Sequence, residues 1–430
     1  MKEFLKKLIS TPEKKDLVEN FFSLSVLQAA NYILPLVTFP YLVRVLGVEK
    51  FGLLAFATAT IAYFNIITDY GFNLTATREI SIHRENKAKI VEIFSSVMTI
   101  KLFLMFLSLV LLSILVFSFE KFSKDWVIYF LTFGAVIGQV LFPVWFFQGM
   151  EQMKYITYLN ILAKSIFTVA IFIFVQDKKD YYIVPILTSL GFIVAGIWSL
   201  RIIKKAFGVR FTWQKVQTAK YYLKEGWHVF ISRYYVSLYT TTNIFLLGVF
   251  TNNIAVGYYS IAEKIVVAIG GLFEPVNQTI YPYLSRKYNE NFNQFVQHIK
   301  KIGFIFIGIS SSFVLIAEIF RDKITYLITG EYSVEINAIL SIFLIRVLTY
   351  PFGPLFSNSL IIMRRKKEFL KVMNYTVLLD FLIVPPSIYF FDVIGLVASF
   401  ITVLLIHTGL LYYYLNLSIK QQVQYYDKPI

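Results

Sequence analysis

The sequence contains no cysteine among its 430 residues. Disulfides, thiolate metal sites and cysteine nucleophiles are therefore excluded together. Histidine is scarce too: the four present are scattered, without HxxxH-type spacing, so neither a structural nor a catalytic metal is expected. Charge is the third shortage. Only 16% of residues are Asp, Glu, Lys or Arg, against ~25% in a typical soluble protein.

Apolar residues fill the gap. The set AVILMFWYC makes up 57% of the chain, aromatics 18%, and the mean hydropathy is +0.64. No compact soluble domain buries so large an apolar fraction. Soluble enzymes, disordered chains and fibrous repeats are excluded, which leaves a polytopic, all-α membrane protein.

A membrane-spanning helix needs ~20 mainly apolar residues. Twelve such runs are present, over roughly 21–43, 51–72, 91–119, 126–149, 155–176 and 181–203, then 225–250, 254–284, 302–320, 336–362, 369–391 and 393–416. Residues 1–20 are charged and no small-residue cleavage site follows, so the start does not read as a secretory signal. Residues 2–9 are expected to form a short amphipathic helix on the membrane surface.

Charge placement supports the count. With the N-terminus inside, 28 of the 41 Lys and Arg fall on cytoplasmic connections or termini and eight on outer connections. A miscounted helix would invert everything after it and destroy this alternation, so twelve spans with both termini cytoplasmic are expected. The net charge of +15 thus serves topology, and nucleic acid is not an expected partner.

The basic connection over 205–224 divides the spans into an N-terminal lobe, 1–204, and a C-terminal lobe, 225–430. Leu46-Gly47-Val48 after the first span is echoed by Leu247-Gly248-Val249 at the end of the seventh. Six spans per half make this a parallel repeat, an arrangement that places a substrate path between lobes near the membrane midplane. Ten of the twelve prolines lie in spans, consistent with bent helices lining a cavity. Gly134 with Gly138, and Gly191 with Ala195, have the spacing of close helix contacts.

Five basic residues lie well inside spans, away from their ends, where each charge costs ~2.5–3.5 kcal/mol at a helix centre and therefore faces a partner or a cavity. Lys164, Arg233, Lys264 and Arg346 are central, as are Glu263, Asp380 and His407. Lys101 sits nearer the cytoplasmic end of its span, where snorkelling explains it. Polar or small faces run through Gln28, Asn31, Pro35 and Thr38; through Thr58, Asn65 and Asp69; and through Arg346, Thr349, Gly353 and Ser357. These suit a hydrated cavity lined by spans 1, 2, 7, 8 and 10. Buried pairs, such as Glu263 with Arg233 or Asp380 with Lys264, are the structural alternative. The central cations outnumber clear acidic partners, which favours an anionic substrate.

The run PLVTFPYLVRVLGVEKFG from Pro35 to Gly52, the segments Asp69-Tyr-Gly-Phe-Asn73 and Arg78-Glu-Ile-Ser81, and the run PVWFFQGME from Pro143 to Glu151 carry a resemblance. The chain resembles Wzx-type flippases, the polysaccharide transporter branch of the multidrug/oligosaccharidyl-lipid/polysaccharide (MOP) exporter superfamily. The resemblance implies two six-helix lobes around a cationic central cavity. It implies movement of undecaprenyl-pyrophosphate-linked oligosaccharide, by alternating access, to the outer leaflet of the bacterial inner membrane, for surface polysaccharide such as O-antigen or capsule. On that reading Arg233, Lys264 and Arg346, with Lys164 and Arg44, attract the pyrophosphate, and Trp145, Trp227 and tyrosines stack on sugars. Glu263, Asp69 and Asp380 become candidates for coupling to a proton or sodium gradient or for structural pairing. The implied partners are the lipid-linked glycan, membrane lipids and other polysaccharide assembly proteins, with no cofactor and no catalytic residue.

Two alternatives differ in chemistry. A cation-coupled multidrug antiporter of the same superfamily fits poorly with central cations and with a first span lacking any acidic residue. A membrane polysaccharide polymerase or ligase usually carries a long outer loop for catalysis, and the longest outer connection here is only about 321–335. Because the chain lacks cysteine, its orientation is directly testable. A cysteine at Glu85 should resist an impermeant maleimide in intact spheroplasts while one at Lys124 reacts, and the reverse pattern would overturn the charge-based orientation.

Overall fold

The computed structural model describes residues 12–240 and 242–426; the surface helix expected over 2–9 lies outside the described residues. Among the described residues the elements are all helical. Hydrocarbon offers no water to backbone N–H and C=O groups, so a spanning segment must satisfy them internally, and a helix does so.

In chain order the helices are α1 (Pro12–Asp69), α2 (Phe72–Ile82), α3 (Lys87–Ser118), α4 (Trp126–Leu141), α5 (Val144–Gly149), α6 (Met153–Phe174), α7 (Ile183–Ala206) and α8 (Val216–Thr240). They continue as α9 (Thr242–Phe250), α10 (Asn253–Gly270), α11 (Glu274–Glu290), α12 (Phe292–Ile319), α13 (Arg321–Thr329), α14 (Val334–Thr349), α15 (Phe352–Ile362) and α16 (Lys366–Tyr426).

The first and last of these each fold back on themselves. On a straight helix Phe39 and Phe51 would stand ~18 Å apart along the axis, yet their ring centroids are 5.5 Å apart. The chain reverses between them at Gly47, whose φ of 75° is left-handed and free of strain only without a Cβ. In α16, Thr376 Oγ1 lies 2.8 Å from His407 Nδ1, where a straight helix would separate them by ~46 Å. The reversal there falls at Asp392, with φ 53°.

Nine described helical stretches are long and apolar enough to cross a membrane. The stretches Leu34–Ile82 and Lys366–Val423 contain the two reversals and so hold two crossings each. The nine therefore cover eleven of the twelve expected crossings, and α8 and α9 occupy the remaining one, at 225–250. Connections are short, and side-chain caps start several helices: Asn86 accepts from the Lys89 amide, Asn252 from Ala255 and Asn291 from Gln294.

Two compact units meet between Phe245 and Leu246 in the chain. In the first, α4 packs along α7, α1 lies on α4 and α6, and α2 lies on α5. In the second, α10 and α16 both lie on α14, and α15 packs on α16. The 205–224 connection, expected to separate the lobes, instead belongs to the first unit together with α8. Its non-basic residues explain this. Val209 is 4% exposed, the Thr212 amide donates to Ser95 Oγ at 3.0 Å, and the Tyr222 hydroxyl donates to Glu92 at 3.1 Å, all against the start of α3. Its Lys and Arg side chains are exposed.

The glycine spacings mark the tightest contact. A Cβ at Gly134 would lie 2.7 Å from Ser189 Cβ, and one at Gly196 would lie 2.7 Å from Leu141 Cβ, so α4 and α7 touch nearly backbone to backbone. Prolines mark the breaks: α4 ends at Phe142-Pro143 before α5, and α14 ends at Tyr350-Pro351 before α15. Gly134→Leu should destabilise the purified protein by about 1–3 kcal/mol through overpacking. Gly409→Ala, with nothing within 4 Å of its added Cβ, should be neutral or better. Thermal unfolding in detergent separates the two, and equal melting temperatures would refute the contact.

Candidate functional site

On α10, Glu263 and Lys264 are consecutive, so their side chains point about 100° apart around the helix. Glu263 is half-buried, and the Tyr259 hydroxyl, one turn before it, donates to its carboxylate at 3.5 Å. Its charge interacts with Arg346 of α14 and with Lys264. Arg346 is held in place by aromatic faces: its guanidinium carbon lies 5.2 Å from the centre of the Phe400 ring and 5.8 Å from that of Tyr350. Tyr350 in turn packs where Gly270 leaves room, because a Cβ there would come within 2.5 Å of its ring. Lys264 is exposed. Its charge and that of the adjoining Glu263 act on one another.

Glu263 thus interacts with Arg346; the alternative expectation, a pair with Arg233, involves a side chain outside the described residues. Asp380 is 4% exposed, and its Oδ1 makes no hydrogen bond among the described residues; the hydroxyl one turn before it, on Thr376, is taken by His407.

The first unit holds the other charges. Lys101, read from sequence as snorkelling, is 4% exposed and pairs with Asp69 at 3.8 Å. The reason is geometric: α3 extends one long helix from Lys87, and its Lys101 turn faces the end of α1. Lys164 donates to Asn31 Oδ1 at 2.5 Å. It stands in an apolar cleft of about 150 Å³ between α1, α6 and α7, with Pro35, Phe167, Thr188 and Phe192 among the walls. Phe192 also lines a second cavity, about 240 Å³, together with Asn65, Asp69, Asn73, Lys101, Gln139 and Asn160.

Arg44 is exposed, three residues before the Gly47 reversal. It sits at a helix end rather than among the central cations. Trp145 is fully buried, with its ring 6.1 Å from Phe94 and 6.3 Å from Phe146, so it packs the core and offers no face to a sugar. Trp227 is 49% exposed and stays open to a ligand.

Sequence reasoning missed the amides Asn73, Gln139 and Asn160. One signal was present: Asn160 and Lys164 are one turn apart on the same face of α6. Removing the Lys101 ammonium should leave Asp69 without its cation in a mostly buried site. Lys101→Met is therefore expected to cost about 3 kcal/mol of stability, and Lys101→Met with Asp69→Asn should recover most of it. Melting temperatures of the three forms test this, and additive losses would show that the two groups act separately.

Residues 17–288 match the family model described as "Polysaccharide biosynthesis protein". A protein of Escherichia coli (strain K12) named "Putative O-antigen transporter" is 34% identical over 388 residues, covering 89% of this chain and 92% of that protein. Among solved structures, an inward-facing multidrug resistance MATE family transporter of the MOP superfamily aligns with a TM-score of 0.67 at 13% identity, over 91% of this chain and 99% of that one. The lipid II flippase MurJ in an inward closed conformation aligns with a TM-score of 0.65 at 14% identity, over 93% and 87%.

Proposed function

Because the chain belongs to the polysaccharide biosynthesis protein family, we propose that it carries an oligosaccharide linked to undecaprenyl pyrophosphate across the bacterial inner membrane for O-antigen-type surface polysaccharide. The transport proceeds by alternating exposure of the site to the two membrane faces and makes or breaks no covalent bond. The observation that carries the reading is Lys264. It is an ammonium adjoining Glu263 in mid-span, and Glu263 feels both it and Arg346. One carboxylate among two cations leaves positive charge for a phosphate, and Arg and Lys are its natural partners. The curated relative named for O-antigen transport supports the substrate class.

Coupling to an ion gradient belongs to the same proposal, with Asp380 as its carrier. A carboxyl oxygen buried without a hydrogen bond is costly unless a proton or a cation visits it. Asp380→Asn would then slow transport without altering the orientation of the chain.

Loss of the protein should leave single lipid-linked repeat units facing the cytoplasm. Units accumulating on the outer face would point instead to a polymerase or ligase. Arg346→Ala and Lys264→Ala should each lower surface glycan at least tenfold at unchanged membrane abundance, and charge reversal at Arg346 should be worse. Wild-type glycan display in both variants would sink the phosphate role. Rescue of the Arg346 reversal by reversal at Glu263 would make the pair structural.

A further inference from the structure

The amide-lined cavity of the first unit has a chemistry different from that of the cationic residues. Its polar lining comprises the carboxamides of Asn65, Asn73, Gln139 and Asn160 with one ion pair, Asp69 and Lys101. A phosphate needs donors and positive charge, but here the only ammonium is neutralised by a carboxylate that repels anions. A metal cation needs oxygen ligands without a competing positive charge, and Lys101 supplies that competing charge. What remains is a neutral group that both donates and accepts at many points. Carboxamides do both, and a carboxylate accepts. Each sugar hydroxyl likewise donates once and accepts twice. Asn65 Oδ1 is buried without a hydrogen-bond partner among the described residues, so an acceptor stands unused in this region of α1.

Position supports the assignment. Asn160 lines the polar cavity and Lys164, one turn further along α6, lines the apolar cleft, with Phe192 common to both walls. Along this short distance the first unit offers amides, then a single cation, then an apolar surface. A glycan joined through phosphate to an isoprenoid chain has the same order of parts. In the charge-based orientation, the amide end lies towards the cytoplasm.

We propose that this cavity is the subsite for the sugar nearest the phosphate, with Lys164 meeting the phosphate and the apolar cleft receiving the first isoprene units. The proposal rests on the reading of the protein as a transporter of lipid-linked glycans. The contacts that select the sugar then belong to Asn65, Asn73, Gln139 and Asn160, apart from the mid-span charges of the second unit.

The test uses the full chain in lipid nanodiscs and two probes: undecaprenyl pyrophosphate, and the lipid-linked repeat unit extracted from cells lacking the protein. The wild type should bind the glycosylated lipid more tightly than the bare one. Replacing two amides by apolar near-isosteres, Gln139→Met with Asn160→Leu, should weaken binding of the glycosylated lipid about tenfold, as expected for two lost hydrogen-bonding groups. The ratio between the two lipids should fall towards one. Lys164→Ala should weaken both. A double variant that keeps the wild-type ratio, whether both affinities hold or both fall together, would overturn the sugar subsite. A wild type that binds neither lipid would overturn the transport reading itself.

Discussion

An ionisable side chain inside a membrane must find a counter-charge, a hydrogen-bond partner or water, because hydrocarbon supplies none of these. The placement of every functional candidate follows from this constraint, and three answers to it occur here. Lys101 takes a carboxylate, Asp69, and is buried with it. Lys164 takes an amide oxygen, Asn31, and keeps its charge uncompensated at the edge of a cleft. Lys264 adjoins a carboxylate, Glu263, which it shares with Arg346. The same residue type is thus buried with a carboxylate in the first case, held by an amide in the second and set in a cluster of two cations and one carboxylate in the third. What distinguishes them is how completely the neighbours cancel the ammonium.

The backbone obeys the corresponding rule. Helices α4 and α7 approach until a Cβ would collide, which Gly134 and Gly196 permit. Close approach of this kind replaces the hydrophobic drive that lipid cannot provide. The break at Pro143 starts α5, whose Trp145, Phe146 and Phe147 fill the core beneath α2. Thr77 of α2 fixes the join by donating to the Trp145 carbonyl at 3.2 Å. The aromatic run after Pro143 is thus packing, although its residue types also suit a sugar platform.

Composition and charge alternation were enough to read the crossings, because twenty apolar residues and a basic bias are local properties of a chain. The Gly134 contact was readable for the same reason: three intervening residues place small side chains on one face of a helix. What escaped was tertiary. A lysine near a span end snorkels or pairs according to what the facing helix carries, and nothing around Lys101 announces Asp69, thirty-two residues earlier. The 205–224 connection looked like a linker because its charges dominate its composition. Its few buried groups, Val209 and Tyr222, decide where it packs. The interaction of Glu263 with Arg346 was not foreseen, since Arg346 lies on another helix and helical spacing says nothing about which helix faces it.

A carrier that binds its cargo on one membrane face and releases it on the other cannot hold any part too strongly. The amide cavity meets that requirement by the way its charges are spent. Lys101 and Asp69 cancel one another, so neither contributes the long residence that an unpaired buried charge gives a charged ligand. The remaining groups offer neutral hydrogen bonds, each worth only ~0.5–1.5 kcal/mol net of water. An amide can also present either its oxygen or its nitrogen to a hydroxyl by rotating half a turn. Such a lining recognises the pattern of sugar hydroxyls by sum rather than by any single anchor. It leaves the strong, directional attraction to the phosphate and the cations that face it.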